Sequence, residues 1–150
     1  MEALPIDADI PRKLDSHFDL KAELGKGACG AVYLYQKNAP PHQKIAVKME
    51  SMSPNVRNKV LGKEIYQMKQ LNEKCPIRGP NGMKRFPECY GDTFGGDYHC
   101  MKFEYLEYSV PEYLQKIAVQ DKMTNQRNYI DIFTQMLESL QDMHEALYVH

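Results

Sequence analysis

A glycine-rich segment lies between two stretches that each have the residue pattern of a β-strand. Residues 25–32 read Gly-Lys-Gly-Ala-Cys-Gly-Ala-Val, a GxGxxGxV pattern. Apolar and charged side chains alternate before it, from Phe18 to Leu24, and Val32–Tyr35 is again strand-like. Alternation with a period of two predicts half-buried strands. The glycine pattern also occurs in ordinary hairpin turns, so its context has to separate the alternatives.

The position of the glycines between two strands distinguishes between two kinds of phosphate-binding site, the Rossmann unit and a β-hairpin that covers phosphates. In a dinucleotide-binding Rossmann unit the motif follows a strand and opens a helix, whose N-terminus faces the pyrophosphate. Here a strand follows Gly30, which disfavours that fold. A hairpin that covers phosphates remains, because glycines let backbone N–H groups approach a ligand where any Cβ would clash.

A lysine and a glutamate further along the chain fit such a site. A strand predicted over Ile45–Met49 places Ala46 and Lys48 on one face, where they could meet a planar base and phosphates. A solvated lysine on an edge strand would have the same pattern. Glu64 lies on the apolar stripe of a helix predicted over residues 59–73, and a buried carboxylate needs a partner. Lys48 is the natural candidate, unless the helix turns Glu64 to solvent.

Turn chemistry and apolar periodicity predict the remaining elements. Gly95-Gly96-Asp97 is typical of a hairpin turn, and Ser109-Val110-Pro111-Glu112 has the pattern of a capping box. Apolar residues at helical spacing predict a long final helix. These signals give two strands and two helices, at Glu88–Thr93, Tyr98–Tyr105, Tyr113–Ile117 and 129–147. The expected fold class is α+β, a five-stranded antiparallel sheet with one main helix, followed by two more helices.

Composition and charge narrow the class of protein. The chain has 150 residues, of which 43% are hydrophobic and 26% charged, as in ordinary globular proteins. A net charge of −1 leaves no electrostatic case for nucleic acid or an anionic membrane as the main partner. The N-terminus has neither the positive charge nor the apolar run of a secretory signal. We therefore expect a cytoplasmic protein, with the nucleus left open, and reduced thiols at its four cysteines.

In order and spacing, these motifs resemble the small lobe of a eukaryotic protein kinase. The match consists of the glycine-rich loop at 25–30, Ile45-Ala46-Val47-Lys48 and the helical Glu64. It continues through a strand pair, a linker and a long helix, and covers about residues 17–150. Among kinases the chain is most similar to the casein kinase I group, including its tau-tubulin-kinase-like branch. The similarity lies in Lys48-Met49-Glu50-Ser51, in Glu64–Met68 and in the stretch 98–114.

The resemblance implies a site for ATP, with Mg²⁺ as a second cofactor in the full-length enzyme. Lys48 and Glu64 would be the catalytic residues present in this chain, with Lys48 on the α- and β-phosphates. The glycine loop would cover the phosphates, and apolar residues and the linker backbone would enclose adenine. The residues that would bind the cofactor are Leu24, Gly25, Lys26, Gly27, Ala28, Cys29, Gly30, Val32, Ala46, Lys48, Phe103, Glu104 and Leu106. No metal ligand is assigned in this chain.

The same resemblance divides the chain into a loose leader (1–16), a small lobe (17–104), a hinge (105–109) and the start of a large lobe (110–150). His150 falls where the histidine of the kinase catalytic loop would be, and the catalytic Asp and DFG elements would follow it. The full-length enzyme would transfer phosphoryl groups from ATP to serine or threonine hydroxyls of a protein substrate. We expect the 150-residue chain to be inactive by itself.

Two other classes of function stay open at the level of sequence. One is a short non-catalytic protein that binds a nucleotide or a kinase, and the other is a hairpin-rich interaction domain without nucleotide. The joint presence of the three glycines, Lys48 and Glu64 favours nucleotide binding over the last. Cys29, where an aromatic residue is usual in kinases, is expected to be accessible at the hairpin tip. The protein substrate and the oligomeric state stay open.

Overall fold

The computed structural model describes residues 7–28, 30–55, 59–75, 84–117 and 122–146, without the side chains of 122–125. Its elements are β1 (Lys13–Leu14), β2 (Phe18–Gly27), β3 (Gly30–Lys37), β4 (Lys44–Ser51), α1 (Leu61–Lys74), β5 (Cys89–Gly95), β6 (Tyr98–Glu104), α2 (Val110–Ile117) and α3 (Lys122–Glu145). The fold class is α+β, as predicted. None of the helices in these ranges is long and apolar enough to cross a membrane.

The chain forms two compact units. Unit 1 contains the residues up to Gln70 together with Glu88–Tyr105, and unit 2 contains Leu71–Pro87 together with the residues from Leu106 onwards. All the described strands belong to unit 1, and α2 and α3 belong to unit 2. The boundary after Tyr105 falls in the segment 105–109, which has no regular structure and was expected to be a linker.

The sheet of unit 1 is antiparallel throughout and has six strands, in the order β1-β2-β3-β4-β6-β5. The predicted count of five is wrong because β1 pairs with β2, with Leu14 opposite Phe18. The expectation of a loose leader fails for residues 10–16. Ile10 and Leu14 are buried, and the hydroxyl of Tyr35 donates a hydrogen bond to the carbonyl of Pro11. Two isolated apolar residues show no periodicity, so only the tertiary structure reveals that they are buried.

The helix boundaries differ from the predictions for identifiable reasons. The helix α2 begins at Val110 rather than Tyr113 because Ser109 is its N-cap. The Ser109 N–H donates to the Glu112 carboxylate (2.8 Å), and the Ser109 hydroxyl accepts from the Glu112 N–H (3.4 Å). This is the predicted capping box. The helix α3 begins at Lys122 rather than 129, since its first residues carry no apolar repeat, and its predicted end at 147 lies outside the described residues.

Two apolar clusters cover the two faces of the sheet. Strand β4 contributes Ile45, Val47 and Met49 to the larger cluster, which also holds Tyr33, Tyr35, Cys100 and the buried residues of the N-terminal segment. The smaller cluster joins the first turns of α1 to Met101 of β6, through Leu61 and Ile65. Cys100 belongs to the larger cluster, and burial raises the pKa of its thiol to about 11.

Asp15 ties the turn after β1 to the strands at the other end of the sheet order. Its carboxylate accepts hydrogen bonds from the Thr93 hydroxyl (2.8 Å) and the Lys102 ammonium (2.5 Å). Burial by itself would raise the pKa of Asp15. The hydrogen bonds from Lys102 and Thr93, together with the charge of Lys102, outweigh that effect and lower the pKa.

Asp15→Asn should lower the free energy of unfolding at pH 7 by about 1–2 kcal/mol, because it removes charge-assisted hydrogen bonds. Asparagine tolerates the left-handed backbone of this residue (φ 47°), so the backbone should not change. A carboxyl whose pKa is lowered by folding contributes stability above the unfolded-state pKa of about 3.9, and loses it as pH falls through the folded value. Urea unfolding from pH 7 to pH 2 should therefore show the difference shrinking. A difference that does not depend on pH, or an equal loss in Asp9→Asn, would contradict this account.

Candidate functional site

Strand β4 places two of the predicted site residues on the same face of the sheet. Val32 and Met101 are the register partners of Lys48, while Leu34 and Phe103 are those of Ala46. Residues directly opposite each other in an antiparallel pair point to the same face. Ala46 is buried and Lys48 is partly exposed. This face of the sheet therefore carries apolar side chains around Ala46 and, two residues further along β4, the ammonium group of Lys48.

The helix α1 brings Glu64 to Lys48. The Lys48 Nζ lies 2.7 Å from Oε1 and 2.5 Å from Oε2 of Glu64, so one ammonium bonds both carboxylate oxygens. Their side chains are 21% and 32% exposed. Leu61 and Ile65, on either side of Glu64 in the helix, are buried in the smaller cluster and set the rotation of α1. The sequence left open that Lys48 is a solvated lysine on an edge strand and that α1 turns Glu64 to solvent. Both alternatives are wrong, since β4 lies between β3 and β6 and Glu64 contacts Lys48.

A buried glutamate that the sequence analysis gave no role lies two residues after Lys48. Glu50 is 6% exposed, and its Oε1 accepts hydrogen bonds from the N–H groups of Val60 (2.7 Å) and Leu61 (3.2 Å), where α1 begins. Two signals could have indicated it. Glu50 shares a face of β4 with Lys48, and Val60, which precedes the helix, has no side chain able to cap it.

The three glycines of the motif differ in their surroundings. Gly30 has a backbone φ of +121°, and a Cβ added there would lie 2.3 Å from the carbonyl oxygen of Met49. Gly25 and Gly27 lie outside the left-handed region, and a Cβ on either would meet no atom within 4 Å. The fold therefore requires glycine at 30. Neither the backbone conformation nor packing requires glycine at 25 or 27.

The other predicted site residues fall into three groups. Val32 and Phe103 are half-buried on the face that carries Ala46. Leu24, Lys26 and Ala28 are exposed in the hairpin. Glu104 is held at the end of β6, where its N–H donates to the Glu88 carbonyl (2.8 Å) and its carboxylate accepts from the Glu88 N–H (3.1 Å). Leu106 is exposed and belongs to unit 2, and Cys29 lies outside the described residues.

The structure thus brings Val32, Ala46, Lys48, Glu64 and Phe103 together around one face of unit 1. In the described ranges, no group of three or more His, Cys, Asp or Glu residues could hold a metal ion. Comparisons with models of protein families and with curated proteins find no match for this chain. The arguments for a function therefore rest on the residues themselves.

The different surroundings of the glycines predict different effects of alanine. Gly30→Ala should destabilise unit 1 by at least about 2 kcal/mol, because it combines a strained backbone with a clash against β4. Gly25→Ala and Gly27→Ala should change the free energy of unfolding by less than about 1 kcal/mol. Urea unfolding of the three variants measures this directly. Equal losses at all three positions would mean that the whole loop is required by the fold.

Proposed function

We propose that unit 1 binds ATP as the small lobe of a protein serine/threonine kinase similar to the casein kinase I group. The full-length enzyme would transfer the γ-phosphoryl group of ATP, with Mg²⁺, to hydroxyls of a protein substrate. The observation that carries the proposal is the bidentate contact of Lys48 with Glu64 on the sheet face next to the glycine hairpin. We further propose that the protein acts in the cytoplasm.

The geometry of Lys48 suits a ligand with negative charge. An ammonium group has three N–H donors and no acceptor. The two oxygens of Glu64 engage Lys48 and hold the end of a flexible side chain in one place. One donor stays available, and Lys48 is partly exposed. A lysine held in this way is ready to bind a phosphate oxygen as a localised positive charge.

The hairpin supplies the second argument. Gly25 lies opposite Val32 in the β2–β3 pair, and Val32 lies opposite Lys48 in the next pair. Gly25 is therefore the hairpin residue in line with Lys48, and it has no side chain, although a Cβ on Gly25 would meet no atom within 4 Å. A close approach of phosphate oxygens to the backbone N–H groups explains why glycine is found there.

The apolar part of the face fits a planar base. Ala46 is small and buried, and it lies between Leu34 and Phe103 in the sheet. The neighbouring Val32 is half-buried, and Leu24 in the hairpin is 43% exposed. An adenine ring packed on this face would cover apolar surface that is otherwise in contact with water. The kinase resemblance assigns contact with adenine to Leu24, Val32 and Ala46 of this face, and the back of the pocket to Phe103.

A hairpin-rich interaction domain without nucleotide accounts less well for the ion pair. The side chains of Lys48 and Glu64 are 21% and 32% exposed, and a partly buried ion pair adds little net stability because the desolvation of both charges offsets their attraction. Stability is therefore a weak reason to place both charges on the apolar side of α1. Positioning an ammonium for an anionic ligand is a stronger one.

Lys48→Met should weaken the binding of Mg-ATP to the 150-residue chain by at least about tenfold, equivalent to about 1.4 kcal/mol. The matched control is Lys69→Met. Lys69 also pairs with a carboxylate in unit 1, Asp92 at 3.3 Å, but its side chain is 51% exposed. Isothermal titration calorimetry of the wild type and the two variants should show a loss only for Lys48→Met.

Gly25→Ala provides a second test of the same proposal. Since it should leave stability almost unchanged, a loss of Mg-ATP affinity in this variant would report on ligand contact alone. If the wild type does not bind Mg-ATP, or if Lys48→Met binds it as tightly as Lys69→Met, the nucleotide proposal fails.

A further inference from the structure

The N-terminus of α1 is capped from outside its own segment. Glu64 N–H donates to the carbonyl of Val60 (3.1 Å), which makes Val60 the N-cap residue. An N-cap side chain normally accepts a hydrogen bond from the first turn, and valine cannot. The carboxylate of Glu50 caps this end of the helix instead, because it accepts hydrogen bonds from the N–H groups of Val60 and Leu61. A negative charge there also interacts favourably with the helix dipole.

Glu50 and Lys48 together give β4 two points of attachment to α1. They are two residues apart and on the same face of the strand, which separates them by about 6.6 Å. Their targets, Val60 and Glu64, are four residues apart, or about 6 Å along a helix axis. Because the two spacings match, both contacts can form at once. The packing of Leu61 and Ile65 sets the rotation of α1, and the two polar contacts add a constraint on its position along the strand.

The burial of Glu50 supports this role. The residue is 6% exposed, whereas the side chains of Lys48 and Glu64 remain partly open to solvent. A buried carboxylate without partners would be costly, so Glu50 keeps its contacts with the helix. The tip of the glycine hairpin comes close to Glu50, since a Cβ on Gly30 would lie 3.8 Å from the Glu50 Cα.

We propose that Glu50 is a positioning residue, which holds α1 on β4 so that Glu64 meets Lys48. Glu50 acts through α1 and does not itself touch a ligand. Its effect on nucleotide affinity rests on the proposed function. Its effect on the contact between Lys48 and Glu64 does not.

The experiment compares tertiary capping by Glu50 with local capping at the same helix end. Glu50→Ala removes the carboxylate, and Val60→Thr added to it supplies an N-cap hydroxyl on a side chain of nearly the same shape. The threonine hydroxyl would bond N–H groups further into the first turn than those of Val60 and Leu61, so the double variant should regain part of the lost stability. Its Mg-ATP dissociation constant should stay about tenfold above the wild-type value. Glu50→Gln, which keeps the shape and one acceptor oxygen, should lie between the wild type and Glu50→Ala.

A double-mutant cycle tests the positioning without nucleotide. The coupling between Lys48→Met and Glu64→Gln is measured by urea unfolding, in the wild type and in Glu50→Ala/Val60→Thr. We expect most of the coupling to be lost in Glu50→Ala/Val60→Thr, because α1 is no longer attached to β4 through residue 50. If the coupling in Glu50→Ala/Val60→Thr is as large as in the wild type, or if Val60→Thr fully restores the Mg-ATP affinity of Glu50→Ala, Glu50 only caps the helix and the inference is wrong. If the wild type binds no Mg-ATP, the proposed function fails, while the coupling measurement still decides the role of Glu50.

Discussion

The two-residue period of β4 is the constraint on which the rest of unit 1 depends. Ile45, Val47 and Met49 enter the larger apolar cluster, so the residues between them must face the other way. On that side the strand carries a small apolar residue, a lysine and a glutamate in succession. A shift of one residue in register would bury Lys48 in the apolar cluster, which is energetically prohibitive. Packing on one face therefore protects the arrangement of charges on the other.

The helices α1 and α2 show two ways of making a helix N-terminus. The cap of α2 comes from Ser109 and Glu112, which are three residues apart, and it is visible in the sequence as a capping box. The cap of α1 comes from Glu50, on a strand that precedes the helix. A local cap stabilises a helix wherever the helix lies. A cap supplied by a strand also fixes where the helix lies, and this matters in unit 1 because Glu64 has to reach Lys48.

One motif also combines different physical requirements. Gly30 is needed because the hairpin approaches β4 closely with a left-handed backbone, whereas Gly25 and Gly27 have room for a side chain. A pattern of glycines read as one signature thus contains a residue needed for folding and two that folding does not need. The fold explains the glycine at 30, so only the glycines at 25 and 27 are evidence for the proposed ligand. The structure was needed to distinguish these two positions from Gly30.

The sequence alone determined the α+β class, the antiparallel strands from β2 to β6 and the capping box of α2, and it favoured the pairing of Lys48 with Glu64 without deciding it. Each follows from local periodicity, turn chemistry or the cost of burying an unpaired charge. The tertiary structure alone decided that Ile10 and Leu14 are buried in the larger cluster, and that Glu50 caps α1. The first two residues lie in a segment without an apolar repeat, and the contact of Glu50 joins a strand to a helix end ten residues further along the chain. The stability of these contacts comes from surfaces that exist only once the sheet has formed.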